Sequence, residues 1–174
     1  MKTLMISLIL LLNFAHAEDA HKNHKSMQMS KESHKHKEHK HGKSNEAFNN
    51  VLKKYEELHS AFFENKIEAI NKLAKDLIVE IDKIEDEKIA KTLTYTKKKL
   101  KEISEKDNIE IKRDAMDTVS QGLLVVLEKH APNKSYSRYY CPMLKKYWIQ
   151  NITKSEEVVN PYAGDYMPHC GVKK

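Results

Sequence analysis

The chain has 174 residues, and its 31 Lys and Arg against 25 Asp and Glu give a formal net charge of +6. This excess is modest, Arg is scarce, and the charges alternate in sign along the middle of the chain. Nucleic-acid-binding proteins usually concentrate basic and aromatic residues on one face, so the composition argues against nucleic acid as a partner.

The N-terminus has the pattern of a secretory signal, predicted to span residues 1–17. Lys2 supplies the positive charge, Leu4 to Phe14 the short apolar stretch, and Ala15-His16-Ala17 the cleavage site. The apolar stretch is shorter than the roughly 20 residues that span a bilayer, and no later segment is apolar enough to stop transfer. We therefore expect a mature chain from Glu18 without a transmembrane segment, located in a bacterial periplasm, with full secretion as the alternative.

Residues 18–44 form a predicted disordered tail rich in His and Lys, because they contain too few apolar side chains to bury. Tracts of this kind often bind metals through neutral imidazoles, and the interleaved lysines predict weak binding. The candidate secondary ligands are His21, His24, His34, His36, His39 and His41. A solvated, pH-sensitive basic tail without metal is the alternative.

Residues 45–174 are predicted to form one domain, which begins with four amphipathic helices. The first stripe contains Phe48, Val51, Leu52, Tyr55, Leu58 and Phe62, and the later stripes end at Leu127. Asn65 with Glu68 predicts the start of the second helix, the acidic group 85–87 that of the third, and Asp107 with Glu110 that of the fourth. The predicted fold class is all-α, an antiparallel four-helix bundle.

Beyond Pro132, which is expected to stop the last helix, aromatic residues, prolines and glycines predict loops and short strands. We expect this segment to pack on one end of the bundle, with Trp148 in the core. It contains both cysteines of the chain, Cys141 and Cys170, and two nearby methionines, Met143 and Met167. Thiolates and thioethers are soft ligands, so the four side chains predict a metal site, with Cu(I) as the preferred ion and other heavy metals as further candidates. In an oxidising compartment the two cysteines can instead form a disulfide, and this alternative stays open.

The C-terminal motif resembles that of a family of bacterial exported domains, which also occurs as an extra domain on CusB-type heavy-metal efflux adaptors. The resemblance covers residues 45–172. Its specific residues are Tyr140-Cys141-Pro142-Met143, Trp148, Asn160-Pro161-Tyr162, Gly164, Met167, Cys170 and Gly171. It implies a helical bundle followed by a metal-associated loop region, in a setting of copper or other heavy-metal handling.

The sequence departs from the family pattern at two places. His169 stands where a small polar residue is more common, and it would add a fifth candidate ligand to the site. Lys145-Lys146 stand where smaller residues are common, and they would weaken cation binding if they faced the site.

These observations predict a periplasmic metal-binding protein, not an enzyme, that sequesters copper or hands it to a heavy-metal efflux adaptor or copper chaperone. The alternative is a helical interaction module that docks on an envelope or efflux partner, with Cys141 and Cys170 bridged. Thiol–disulfide exchange is the best enzymatic interpretation, but the Cys-x-x-Cys spacing is absent.

Overall fold

The computed structural model describes residues 32–174, with the backbone alone for residues 32–41, 43 and 44. Five helices and three short strands lie in this part of the chain. The helices are α1 (Glu32–Phe63), α2 (Ile67–Asp82), α3 (Glu87–Thr92), α4 (Thr94–Glu105) and α5 (Ile109–Lys129). The strands are β1 (Tyr136–Cys141), β2 (Lys146–Asn151) and β3 (Val172–Lys173).

The described chain is mostly helical. The predicted all-α class needs one correction, because the three strands form an antiparallel sheet in the order β2-β1-β3. Two of the six cross-strand pairs of β1 and β2 are aromatic, and such pairs stabilise antiparallel strands. Tyr139 stacks on Trp148 with ring centroids 5.6 Å apart, and Tyr140 lies 4.6 Å from Tyr147. The predicted short strands are therefore present, and they pair into a sheet.

The start of α1 differs from the predicted domain boundary. The helix begins at Glu32 and includes His34, His36, His39 and His41, whereas the sequence suggested a disordered tail up to Ser44. Lys and Glu are good helix formers, and extending an existing helix costs far less than starting one. A helix fixed by its buried stripe from Phe48 onward can thus continue toward the N-terminus. The predicted signal, His21 and His24 lie outside the described residues.

Two predicted helix boundaries are wrong. Asn65 ends α1 instead of beginning α2: its φ is +55°, Lys66 N donates to Ala61 O at 3.0 Å, and Asn65 N donates to Phe62 O at 3.2 Å. This pattern is the Schellman motif, in which an Asn or Gly takes the left-handed conformation just beyond the helix. At the start of α5 the cap is Asn108, one residue after the predicted Asp107.

The predicted third helix is divided into α3 and α4 at Leu93. The hydroxyls of Thr92 and Thr94 donate to the carbonyls of Lys88 and Ala90, four residues earlier, at 2.8 and 3.3 Å. Such bonds compete with the backbone ladder and bend helices. Asp86 caps α3 by accepting from Lys88 N and Ile89 N.

The core lies between the apolar stripes of the helices and the inner face of the sheet. α1 packs against α2, α2 against α4, α4 against α5, and α5 against β2. All six residues of the first predicted stripe are fully buried, and so is Trp148, as the sequence predicted. None of the helices within residues 32–174 has the length and apolar character needed to cross a membrane.

A buried hydroxyl network joins the helices to the sheet. Ser120 Oγ on α5 lies 2.7 Å from the hydroxyl of Tyr55 on α1 and 2.9 Å from that of Tyr162, and donates to Met116 O. The Tyr55 hydroxyl accepts from Ile149 N of β2 at 3.3 Å. Since the Ser120 proton is used on Met116 O, Tyr55 donates to Ser120. Burial raises the pKa of Tyr55 and of Tyr162, so both hydroxyls stay protonated.

We expect Ser120→Ala to lower the free energy of unfolding by about 1–2 kcal/mol, because it leaves the buried Tyr55 hydroxyl without its acceptor. Urea unfolding measures this change. Ser104→Ala is the matched control, since Ser104 also donates to a carbonyl of its own helix, that of Lys101, on an exposed part of α4. Equal costs for the two substitutions would contradict the importance of the buried network.

Candidate metal centre

The structure brings Cys141 and Cys170 together, although they are 29 positions apart in sequence. Both are free, and their Sγ atoms are 3.3 Å apart. β3 pairs with β1 through Tyr140 and Val172, and this pairing places the start of β3 beside the end of β1. We call Cys141 and Cys170 the thiol pair.

Cys141 is the fixed member of the thiol pair. Its side chain is fully buried at the end of β1, and Lys145 N donates to its carbonyl at 2.8 Å across a tight turn. Lys145 takes a φ of +55° to close this turn. The amide of Leu144 also points at Cys141 Sγ, with 3.5 Å between N and S. Backbone contacts thus hold Cys141 at both its carbonyl and its sulfur.

Cys170 is the partly exposed member of the thiol pair. It lies near the end of the segment 160–171, which we call the Cys170 loop, and its amide donates to Met167 O at 3.0 Å. The hydrogen bond with Cys141, burial and the charge of Cys141 all raise the pKa of Cys170. The thiol pair therefore gives up its second proton reluctantly, and binding of a cation must displace it.

The turn before β3 depends on Gly171. A Cβ at this position would lie 2.4 Å from Cη2 of Trp148, a contact that side chains do not tolerate. Trp148 cannot retreat, because Tyr139 stacks on its ring and Tyr162 meets it edge-on. The glycine thus lets the backbone of the Cys170 loop lie directly on the core.

The other predicted ligands occupy different environments. The side chain of Met143 is 66% exposed on the turn after Cys141, and Met167 is half-buried in the Cys170 loop. His169 is exposed, with Nδ1 2.7 Å from Val158 O and 3.3 Å from Glu157 Oε1. Among the described residues, no third His, Cys, Asp or Glu side chain completes a metal-binding group with the thiol pair.

The two lysines that depart from the family pattern do not act alike. Lys146 Nζ lies 2.7 Å from Asp114 Oδ1 and 5.3 Å from the centre of the Tyr162 ring, so its charge is balanced by a carboxylate. Lys145 is exposed on the turn. The charge of Lys146 is therefore already paired with Asp114, which reduces the repulsion it could exert on a bound cation.

His59 on α1 is a buried histidine that is not among the predicted ligands. Burial lowers its pKa to about 4, against the opposing effects of the Val159 carbonyl and the Glu56 charge. Nε2 is buried and has no hydrogen-bond partner among the described residues. His59 is therefore neutral at pH 7 in the folded protein.

This burial predicts that stability falls as the pH drops from about 6.5 to about 4. In that range the unfolded chain protonates His59 and the native chain does not, so the loss reaches up to about 3 kcal/mol near pH 4. Urea unfolding across this range should show that His59→Leu removes part of the slope. His130→Leu is the control, and the prediction fails if both variants keep the full slope.

The roles of three residues were not predicted from the sequence: the buried hydroxyl of Ser120, the close contact of Gly171 with Trp148, and the buried side chain of Asn160. Asn160 and Gly171 were named only as residues of the motif, and Ser120 is a polar residue within the apolar stripe of the last helix. Comparison of the chain with family models, curated proteins and solved structures gives no match. The family resemblance stays a prediction.

Proposed function

We propose that this protein is an exported copper-binding protein, with the thiol pair as its main site and the His-rich tail as a weaker collector. The observation that carries the proposal is the 3.3 Å between the two unbridged Sγ atoms. Two thiolates on one tetrahedral ion lie about 3.8 Å apart if metal–sulfur bonds are about 2.3 Å, as for zinc. The thiol pair needs only a small adjustment to hold an ion between its sulfur atoms.

The methionines supply the remaining ligands in this proposal. Met143 shares a turn with Cys141, and Met167 shares one with Cys170, since the Cys170 amide bonds to Met167 O. Two thiolates and one or two thioethers suit Cu(I), a soft ion. His169, held by Val158 and Glu157, is a further candidate only if it leaves these partners.

The scaffold in this proposal is an antiparallel four-helix bundle in which α3 and α4 together form one arm. In this proposal the bundle supports the site and takes no part in catalysis. It holds β2 and the Cys170 loop through the Tyr55, Ser120 and Tyr162 network, and β2 in turn pairs with β1, so that the site rests on a packed support. We propose a periplasmic location and transfer of the ion to a heavy-metal efflux adaptor or copper chaperone.

A titration of the reduced full chain with Cu(I), under a competing chelator and without oxygen, tests the proposal. We expect tight binding to persist when the six tail histidines His21, His24, His34, His36, His39 and His41 are replaced with Asn. Weak additional binding should disappear in that variant. If tight binding disappears as well, the copper site lies in the tail and the thiol-pair proposal is wrong.

A second candidate function is a non-catalytic interaction module, and the same sulfur distance favours it. A disulfide needs about 2.05 Å between the sulfur atoms and about 5.5–6 Å between the Cα atoms. A shift of a little over 1 Å from the present 3.3 Å would close the bond. Thiol counting on protein purified without reductant separates the functions: two free thiols favour copper binding, and a fully bridged chain favours the interaction module.

A further inference from the structure

Asn160 is a fully buried polar side chain that binds both ends of the Cys170 loop. Its Nδ2 donates to Cys170 O at 2.7 Å, and its Oδ1 accepts from Tyr162 N at 2.9 Å. Its backbone amide donates to Pro168 O at 2.8 Å. Every one of these partners is a backbone group, so the contacts fix the path of the chain itself.

The backbone of Cys170 is hydrogen-bonded at both its carbonyl and its amide group. The Cys170 carbonyl is held by Asn160, and the Cys170 amide by Met167 O. The next residue, Gly171, lies against Trp148 and leaves no room for movement toward the core. The Asn160 amide is thus the one side-chain group among these contacts that acts directly on Cys170.

Cys141 is positioned by different contacts. It lies at the end of β1 opposite Lys146, and Lys145 N holds its carbonyl. Asn160 therefore bonds to the backbone of one member of the thiol pair and not to that of the other.

We propose that Asn160 is a positioning residue that holds the Cys170 thiol at contact distance from Cys141. A fixed neighbour raises the effective concentration of one thiol at the other. Asn160 thereby favours both formation of a disulfide and joint binding of a soft ion. The second of these consequences rests on the copper function proposed above, and the first does not.

The test measures the thiol–disulfide equilibrium of the full chain in glutathione buffers. Oxidised glutathione takes two electrons and two protons from the thiol pair, which gives the Cys141–Cys170 disulfide and two reduced glutathiones. We expect Asn160→Ala to lower this equilibrium constant about tenfold, because the variant loses the hydrogen bond to Cys170 O together with the one from Tyr162 N. Asn160→Ser should have a similar effect, because the shorter hydroxyl can still accept from Tyr162 N, as in an ST turn, but does not reach Cys170 O.

Asn133→Ala is the matched control. Asn133 also accepts from a backbone amide two residues ahead, that of Ser135, and its Nδ2 donates to Asn49 Oδ1, away from the thiol pair. Circular dichroism checks folding, and Asn160→Ser replaces Asn160→Ala if the alanine variant does not fold. Equal equilibrium constants for wild type and the Asn160 variant would overturn the proposal, and so would an equal decrease in Asn133→Ala.

Cu(I) titration of the same variants separates this inference from the copper function. If the wild-type chain binds no Cu(I) but the disulfide equilibrium depends on Asn160, the copper function is wrong and the positioning role stands. If the wild-type chain binds Cu(I) and the Asn160 variant keeps both the affinity and the disulfide equilibrium, the positioning role is wrong.

Discussion

Replacing both cysteines of the thiol pair with serine should lower the Cu(I) affinity of the reduced chain about a thousandfold or more. Loss of a group that only supports a metal ligand costs about 10–100-fold in affinity, and here both direct thiolate ligands are lost. A serine hydroxyl is a hard, protonated oxygen and does not replace a thiolate on a soft ion. Competition with a chromophoric Cu(I) chelator measures the change.

The control for this experiment separates ligand loss from disturbed packing. Cys141 is fully buried, so the double alanine variant, which places no hydroxyl in the core, should lose affinity to the same extent. Met143→Leu should cost less than either cysteine, because a thioether is a neutral ligand and this one is largely in solvent. Wild-type affinity in the double serine variant would rule out the thiol pair as the copper site.

Oxidation of the thiol pair should raise the free energy of unfolding by about 3.5 kcal/mol. The two cysteines are 29 positions apart, and closing a loop of this length removes that much entropy from the unfolded chain in the polymer model. The folded backbone needs little change, since the sulfur atoms already touch. Urea unfolding with and without reductant measures the difference.

The double serine variant is the control for oxidation, because its stability should not depend on reductant. Its unfolding midpoint should match that of the reduced wild type within the small cost of the substitutions. If reductant leaves the wild-type midpoint unchanged although thiol counting shows a bridge, then the bond strains the fold as much as it constrains the unfolded chain.

The sequence predicted the helical core well because the periodic burial of Phe48 to Phe62 depends on local spacing alone. Helix ends were less predictable. Asn65 suits either end of a helix, and its left-handed conformation is decided by the turn between α1 and α2. The break at Leu93 depends on which hydroxyls bond back to the helix, a choice that spacing does not reveal.

For the candidate site, the sequence predicted that the two cysteines lie in one site. It did not predict the contacts that bring them together. Their meeting requires β3 to pair with β1 over residues distant in sequence, and a strand of two residues has no pattern of its own. His169 was grouped with the cysteines because it precedes Cys170. Adjacent residues in an extended or turning backbone point in different directions, and in the structure His169 faces Val158 and Glu157.

The unequal burial of the two sulfur atoms sets the route by which anything can react with them. Cys141 is closed to solvent and Cys170 is partly open, so an arriving ion, oxidant or alkylating reagent meets Cys170 first. Exchange of an ion with another protein would then proceed through an intermediate in which Cys170 and a ligand of that protein share the ion. In the proposed copper function, Cys141 would join last on loading and leave first on release, so both processes would pass through the exposed side of Cys170.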